Sequence, residues 1–131
     1  MGGVDLQRWA WERADELPGA TAEEPFGPDW DVAKVRGKVF MLTTIHGSEP
    51  LLTLKADPDD GRALREQYQQ ISPGYHMNKR HWITVHPGEK VSEELVKELV
   101  TESYLLVVAG LPRARRPLGA AALRRGCASE E

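Results

Sequence analysis

Three runs of apolar and β-branched residues with very short connections between them constrain the fold of this chain more than any other feature. Residues 39–45 and 51–55 are strong strand signals, and residues 31–36 alternate less regularly. The first connection is a tight turn around Gly37, which can take a positive φ at no steric cost, and the second is the segment 46–50. Parallel strands need crossovers of roughly a dozen residues, so these connections predict an antiparallel meander.

Helical periodicity and capping residues predict three helices around this meander. Residues 20–30 are rich in turn residues and have room for one short edge strand, and residues 82–85 predict a further strand. The order of elements predicts an α+β domain, an antiparallel sheet of about five strands with helices packed against it. The predicted helices are residues 5–17 with Asp5 as N-cap, a second from Asp57 as N-cap to about residue 68 or 70, and a third from Ser92 as N-cap to about residue 109.

Length and charge distribution predict one domain with a distinct tail. A chain of 131 residues has room for one core, which we assign to residues 1–112, and the Arg-rich residues 113–131 are expected to form a mobile tail. The chain has a net charge of -3 although residues 112–131 are basic, so the body is acidic. Such a body repels nucleic acid as a whole, and nucleic-acid binding would need a local basic patch.

Composition also bears on the compartment. No apolar run approaches the roughly 20 residues that cross a bilayer, and the amino end has no leader pattern. A single cysteine, Cys127, excludes an internal disulfide and fits a reducing compartment. We therefore expect a cytoplasmic protein without a membrane partner.

The chain shows no complete catalytic, metal or cofactor pattern. His76, His81 and His86 recur at five-residue intervals, which suits neither one face of a helix nor one face of a strand, so no metal site is predicted. There is no glycine pattern of a nucleophile elbow or of a phosphate-binding loop. The serines lie near histidines or acids in the sequence only by chance of position. We expect a protein that is not an enzyme and has no cofactor.

Residues 73–85 concentrate imidazole, amide, cationic and aromatic groups, and a second cationic cluster surrounds the turn at Gly37. If the two regions adjoin, they form a small patch that can contact phosphates, with Asn78 near a base edge. The alternative for these cations is an ordinary solvated sheet edge. The predicted DNA-binding residues are Lys34, Arg36, Lys38, His76, Asn78, Lys79 and Arg80.

A competing hypothesis is a small-molecule or protein-binding module. It assigns the aromatic and imidazole side chains of Trp30, Tyr75, His76 and Trp82 to a pocket and treats the cations as incidental.

Several motifs, taken in order, resemble the MmcQ/YjbR family. The most specific is the stretch 74–82, with the pattern H-x-N-K-x-H-W at its centre. The resemblance covers about residues 4–112. The other motifs are residues 25–27, 34–40, 52–55 and the pair Ser103 and Tyr104.

The resemblance implies a small CyaY-like (frataxin-like) α+β domain and DNA binding through two winged hairpins. On this chain those hairpins would turn near Gly37 and Gly47, with His76, Asn78, Lys79, Arg80 and Trp82 nearby. Metal binding is a third hypothesis that rests on the frataxin-like fold alone.

Overall fold

The computed structural model describes residues 2–23, 30–74 and 78–120, with side chains from residue 5 onward. In chain order the elements are helix α1 (Gly2–Glu16), strands β1 (Ala20–Glu23), β2 (Trp30–Val35), β3 (Lys38–His46) and β4 (Glu49–Lys55), helix α2 (Pro58–Gln67), strands β5 (Ile71–Pro73) and β6 (Trp82–Val85), helix α3 (Glu93–Ala109) and a 3-10 turn (Arg113–Arg115).

The sheet is antiparallel and has six strands in the order β1-β2-β3-β4-β6-β5. The predicted α+β class and meander are confirmed. The strand that the sequence analysis did not identify is β5, which was assigned to the end of the second helix. It has three residues and ends in a proline, and only its pairing with β6 makes it a strand.

Helices α1 and α3 cover one face of the sheet, and α2 packs beside them against β5 and β6. The centre of this core is Tyr104 on α3, which is fully buried. Its ring meets Phe40 edge-on, with centroids 5.5 Å apart, and its hydroxyl donates to the Pro18 carbonyl oxygen at 2.6 Å.

The helix starts follow the predicted caps in two cases of three. Asp57 accepts from the Asp59 amide, and Ser92 accepts from the Leu95 amide. The first helix begins earlier, at Gly2, so Asp5 is not its N-cap. Asp5 lies in the first turn of α1 and pairs with Arg8 at 2.8 Å.

The expected tail boundary at residue 113 lies too early. Pro117 and Ala120 are buried, Ala120 belongs to the main core, and Pro117 packs beside Gly19. The Arg116 guanidinium donates to the carbonyl oxygens of Ala109 and Leu111, both at 3.0 Å, which satisfies acceptors at the end of α3. The domain therefore continues to at least residue 120, and residues 121–131 lie outside the described part of the chain.

The β5 margin of the sheet offers no backbone donor. Backbone hydrogen bonds join residue 70 to residue 86 and residue 74 to residue 82. The backbone N–H and C=O positions of Ile71 and Pro73 therefore point away from β6. The Ile71 amide donates to the Tyr68 carbonyl oxygen, and Pro73 has no N–H.

Candidate nucleic-acid interface

The topology brings the two predicted cationic segments to the same end of the sheet. Strand β3 begins at Lys38, β4 ends at Lys55, and β6 begins at Trp82 opposite Lys55. The turn between β2 and β3 and the turn at residues 78–81 therefore lie on either side of the end of β4. We call this surface the basic end, and its residues are Arg36, Lys38, Lys55, Lys79 and Arg80.

A left-handed turn projects the first pair of cations. Arg36 and Gly37 have φ of 51° and 82°, the signature of a two-residue hairpin turn that matches the twist of the strands. The Arg36 guanidinium donates to the Arg115 carbonyl oxygen at 2.9 Å. Lys38 is exposed, and within the described ranges it has no ion-pair partner.

Local hydrogen bonds hold the second turn in place. Asn78 accepts from the Arg80 amide through Oδ1 at 2.9 Å, and the His81 carbonyl oxygen accepts from the Ala56 amide at 2.9 Å. Lys79 donates to the Gly74 carbonyl oxygen at 3.3 Å. Lys79 and Arg80 remain exposed. A structured turn therefore presents two cations to solvent beside the end of β4.

Gly74 fixes the base of this turn by its lack of a side chain. Its amide donates to the Trp82 carbonyl oxygen at 2.9 Å, and a Cβ at this position would lie 2.6 Å from the Cβ of Trp82. The two backbones approach so closely that only glycine fits without displacement.

A depression of about 300 Å³ lies between the two turns. The Lys55 ammonium sits 5.4 Å from the centroid of the Trp82 indole, within the range of a cation–π contact. The carboxyl end of α3 forms the opposite wall, where the helix dipole favours cations. The lining residues are Lys38, Val39, Lys55, Trp82, Leu106, Val107, Gly110 and Leu111.

Lys55 was absent from the predicted site. Alternation along β4 puts it on the same face as Leu51 and Thr53, but only the pairing of β4 with β6 brings it to Trp82. Arg115 was also missed, because it was assigned to a mobile tail. The sequence carries no local signal for either contact.

Lys34 does not join the basic end in the predicted role. Its ammonium pairs with the Glu23 carboxylate on neighbouring β1 at 3.1 Å, and its side chain is 23% exposed. A cation engaged with a carboxylate in this way is a weaker phosphate ligand than an unpaired one.

The predicted aromatic pocket is described only in part. Trp82 is 8% exposed and forms a small cluster with Val32 and Leu42, on the sheet face away from α1 and α3, and Trp30 packs against this cluster. Tyr75 and His76 lie outside the described residues. The two tryptophans therefore share one apolar cluster.

Acidic groups border the basic end at the start of α2. Asp57 uses its carboxylate as the N-cap, and Asp59 pairs with Arg62 at 3.1 Å. Within the described ranges, His, Cys, Asp and Glu form no group of three that could hold a metal ion. Over the same residues, no helix combines the length and the apolar character needed to span a bilayer.

Comparison with known proteins identifies the family to which this chain belongs. The YjbR family model matches residues 15–106, which is most of the chain. The chain belongs to the MmcQ/YjbR family. Its relatives include YbdF of Escherichia coli O157:H7, 45% identical over 113 residues that cover 86% of this chain and 93% of YbdF. YjbR of Escherichia coli K12 is 32% identical over 103 residues, covering 77% and 86% of the two chains.

Solved structures agree with this MmcQ/YjbR assignment. A Deinococcus radiodurans protein with the DUF419 domain superposes with a TM-score of 0.77 at 40% identity and covers 88% of this chain and 86% of its own. A Pseudomonas syringae protein gives a TM-score of 0.64 at 26% identity, with coverages of 81% and 98%. The names of these relatives state no substrate or partner.

Proposed function

We propose that the basic end binds the phosphate backbone of DNA. The observation that carries the proposal is the convergence of two cationic turns on the end of β4, with Lys55 between them. Lysine and arginine side chains that share one surface contact phosphates and fix the position of a duplex. Binding of this kind requires no catalytic step and no cofactor, and it implies a cytoplasmic location.

Charge makes this binding local and sensitive to salt. The chain carries a net charge of -3, so the protein as a whole is repelled by DNA, and short-range contacts must overcome that repulsion. The Asn78 side-chain oxygen accepts from the Arg80 amide, which ties this side chain to its own turn. We therefore expect affinity with little dependence on DNA sequence.

A titration of fluorescent duplex DNA at two salt concentrations tests the proposal. Lys79→Ala should weaken binding to all sequences alike and reduce the slope of log K against log salt by about 1. The matched control is Lys90→Ala, which removes the same charge from an exposed position beyond the opposite end of β6. Equal effects of the two substitutions, or binding insensitive to salt, would contradict the proposal.

A small anionic ligand is the second candidate. The depression that holds Lys38 and Lys55 beside Trp82 favours it, since two cations and an aromatic ring converge there. This hypothesis predicts that a ligand, but not duplex DNA, changes tryptophan fluorescence, and that Trp82→Phe removes the change. Quenching by duplex DNA that Trp82→Phe abolishes would instead favour the first proposal.

A further inference from the structure

Three side chains on neighbouring strands form a hydrogen-bonded series at the opposite end of the sheet from the basic end. The Ser72 hydroxyl lies 3.0 Å from Nε2 of His86, and Nδ1 of the same imidazole lies 3.2 Å from Oε1 of Glu49. Ser72 is on β5, His86 directly follows β6, and Glu49 opens β4. We call this group the Ser72 series.

Register explains how residues so far apart in the sequence meet. Ile83 and Val85 of β6 point into the helix-covered core, so His86 lies on the other face of the sheet. Ser72 pairs with Thr84 and is therefore diagonal to His86. Leu52 pairs with Val85, and the same register extended along β4 puts Glu49 diagonal to His86 on the β4 side.

The order of donors and acceptors suits nucleophilic chemistry. A carboxylate at Nδ1 favours the imidazole tautomer that carries its proton there, which leaves the Nε2 lone pair facing the Ser72 hydroxyl. A serine whose proton can pass to a neighbouring base is an activated nucleophile, and the carboxylate stabilises the imidazolium that forms.

We propose that the Ser72 series is an acyl-transfer site for small carboxylic esters. The Ser72 Oγ attacks the ester carbonyl carbon as its proton passes to Nε2 of His86. The carbon–oxygen bond to the alcohol then breaks, and the leaving oxygen takes that proton. Water attacks the acyl-serine through the same base, which releases the acid and restores the hydroxyl. Glu49 acts through His86 as a positioning residue.

The exposure of the site favours small substrates that are already reactive. The side chains of His86 and Glu49 are 31% and 47% exposed, and Ser72 is half-buried on β5, the last strand of the sheet. A shallow site supplies little binding energy. Esters with a good leaving group fit it better than peptides, because their attack needs less stabilisation.

Sequence spacing could not reveal this group. Its members are at positions 49, 72 and 86, and Ser72 follows a strand residue without the glycine pattern of a nucleophile elbow. The proposed activity is separate from DNA binding, because the two sites occupy opposite ends of the sheet.

A fluorophosphonate probe with mapping of the labelled peptide tests the proposal on the full chain. We expect one label, on Ser72, and hydrolysis of p-nitrophenyl acetate that Ser72→Ala abolishes. His86→Gln should slow labelling at least about 100-fold. The control Ser48→Ala changes an exposed serine outside the Ser72 series and should label at the full rate. A label elsewhere, no label, or an unchanged rate in His86→Gln would overturn the proposal.

Glu49→Gln separates positioning from structure. It should slow labelling at least about tenfold, because the imidazole loses the carboxylate that fixes its tautomer, and Glu49→Asp should restore part of the rate. A purely structural role predicts an altered unfolding midpoint with an unchanged labelling rate, which would overturn the assignment of Glu49. Full DNA affinity in Ser72→Ala would show that the two functions are independent.

Discussion

The Arg36 guanidinium donates to the carbonyl oxygen of Arg115 at 2.9 Å, and the Arg115 guanidinium approaches the carbonyl oxygen of Arg36 at 3.5 Å. This reciprocal contact joins the β2–β3 turn to the segment after α3. The positive φ of Arg36 turns its carbonyl and side chain toward that segment. The basic end therefore depends on residues beyond the family match, which ends at residue 106.

Truncation tests the contribution of that segment to the domain. A chain that ends at residue 112 should lose at least about 1 kcal/mol of unfolding free energy, because burial of Pro117 and Ala120 is lost. A chain that ends at residue 120 keeps both buried residues and should be more stable than the chain that ends at residue 112. Urea unfolding of the three lengths gives the comparison. Equal stability of the two truncated chains would contradict the packing of residues 113–120.

Ser103→Ala removes a hydroxyl that links two strands where their ladder stops. The Ser103 hydroxyl donates to the Phe40 carbonyl oxygen and accepts from the Lys55 amide at 2.8 Å. Alanine leaves both backbone groups without this partner, and we expect a loss of about 1–3 kcal/mol in urea unfolding. Ser48→Ala, on an exposed turn, is the control and should stay within about 0.5 kcal/mol of the natural chain.

Gly74→Ala should strain the base of the 78–81 turn. The new methyl group would meet the Trp82 Cβ at 2.6 Å and the Trp82 backbone at 3.1 Å, so we expect a loss of about 1–3 kcal/mol. Gly110→Ala is the matched control, because the Cβ that this alanine adds would have its nearest neighbouring atom at 3.5 Å. Thermal unfolding of both variants checks the difference, and similar midpoints would refute the close approach.

Stability should fall at high pH through Tyr104. Burial raises the pKa of this phenol, while the nearby Arg36 charge opposes the shift. The folded state therefore keeps its proton at a pH where the unfolded state loses it, and unfolding free energy declines as pH rises above the ordinary tyrosine pKa of about 10. Denaturant unfolding between pH 8 and about 11 measures the slope, which should be shallower in Tyr104→Phe.

Lys34→Ala and Lys38→Ala should separate a paired cation from an unpaired one. Lys34 is engaged with Glu23 and supplies no phosphate contact, so its removal should change DNA affinity less than removal of Lys38. Lys38 lies at the basic end and its removal should weaken binding and reduce the salt slope. Anisotropy titrations at matched salt give both values. A larger effect at Lys34 would argue against the proposed surface.

Local signals predicted much of the fold, and pairing between distant segments decided the rest. Gly37, Asp57 and Ser92 act as expected because a turn or a cap depends on a few consecutive residues. Strand β5 exists only through its pairing with β6, and Lys55 reaches Trp82 only through the sheet register. The same reason applies to the candidate sites. The cations of each turn are neighbours in the sequence and could be predicted from it, whereas the members of the Ser72 series meet only through strand pairing and could not.

The proline at the end of β5 bears on how copies of this protein meet. The Ile71 amide is already hydrogen-bonded and Pro73 has no N–H. The carbonyl oxygens of a strand from another molecule would therefore find no N–H donor at this edge. That strand would have to supply every N–H donor, while its own carbonyl oxygens remained without a hydrogen bond. This border of the molecule is thereby closed to runaway sheet extension, and crowded solutions of the folded protein should resist fibril growth through it.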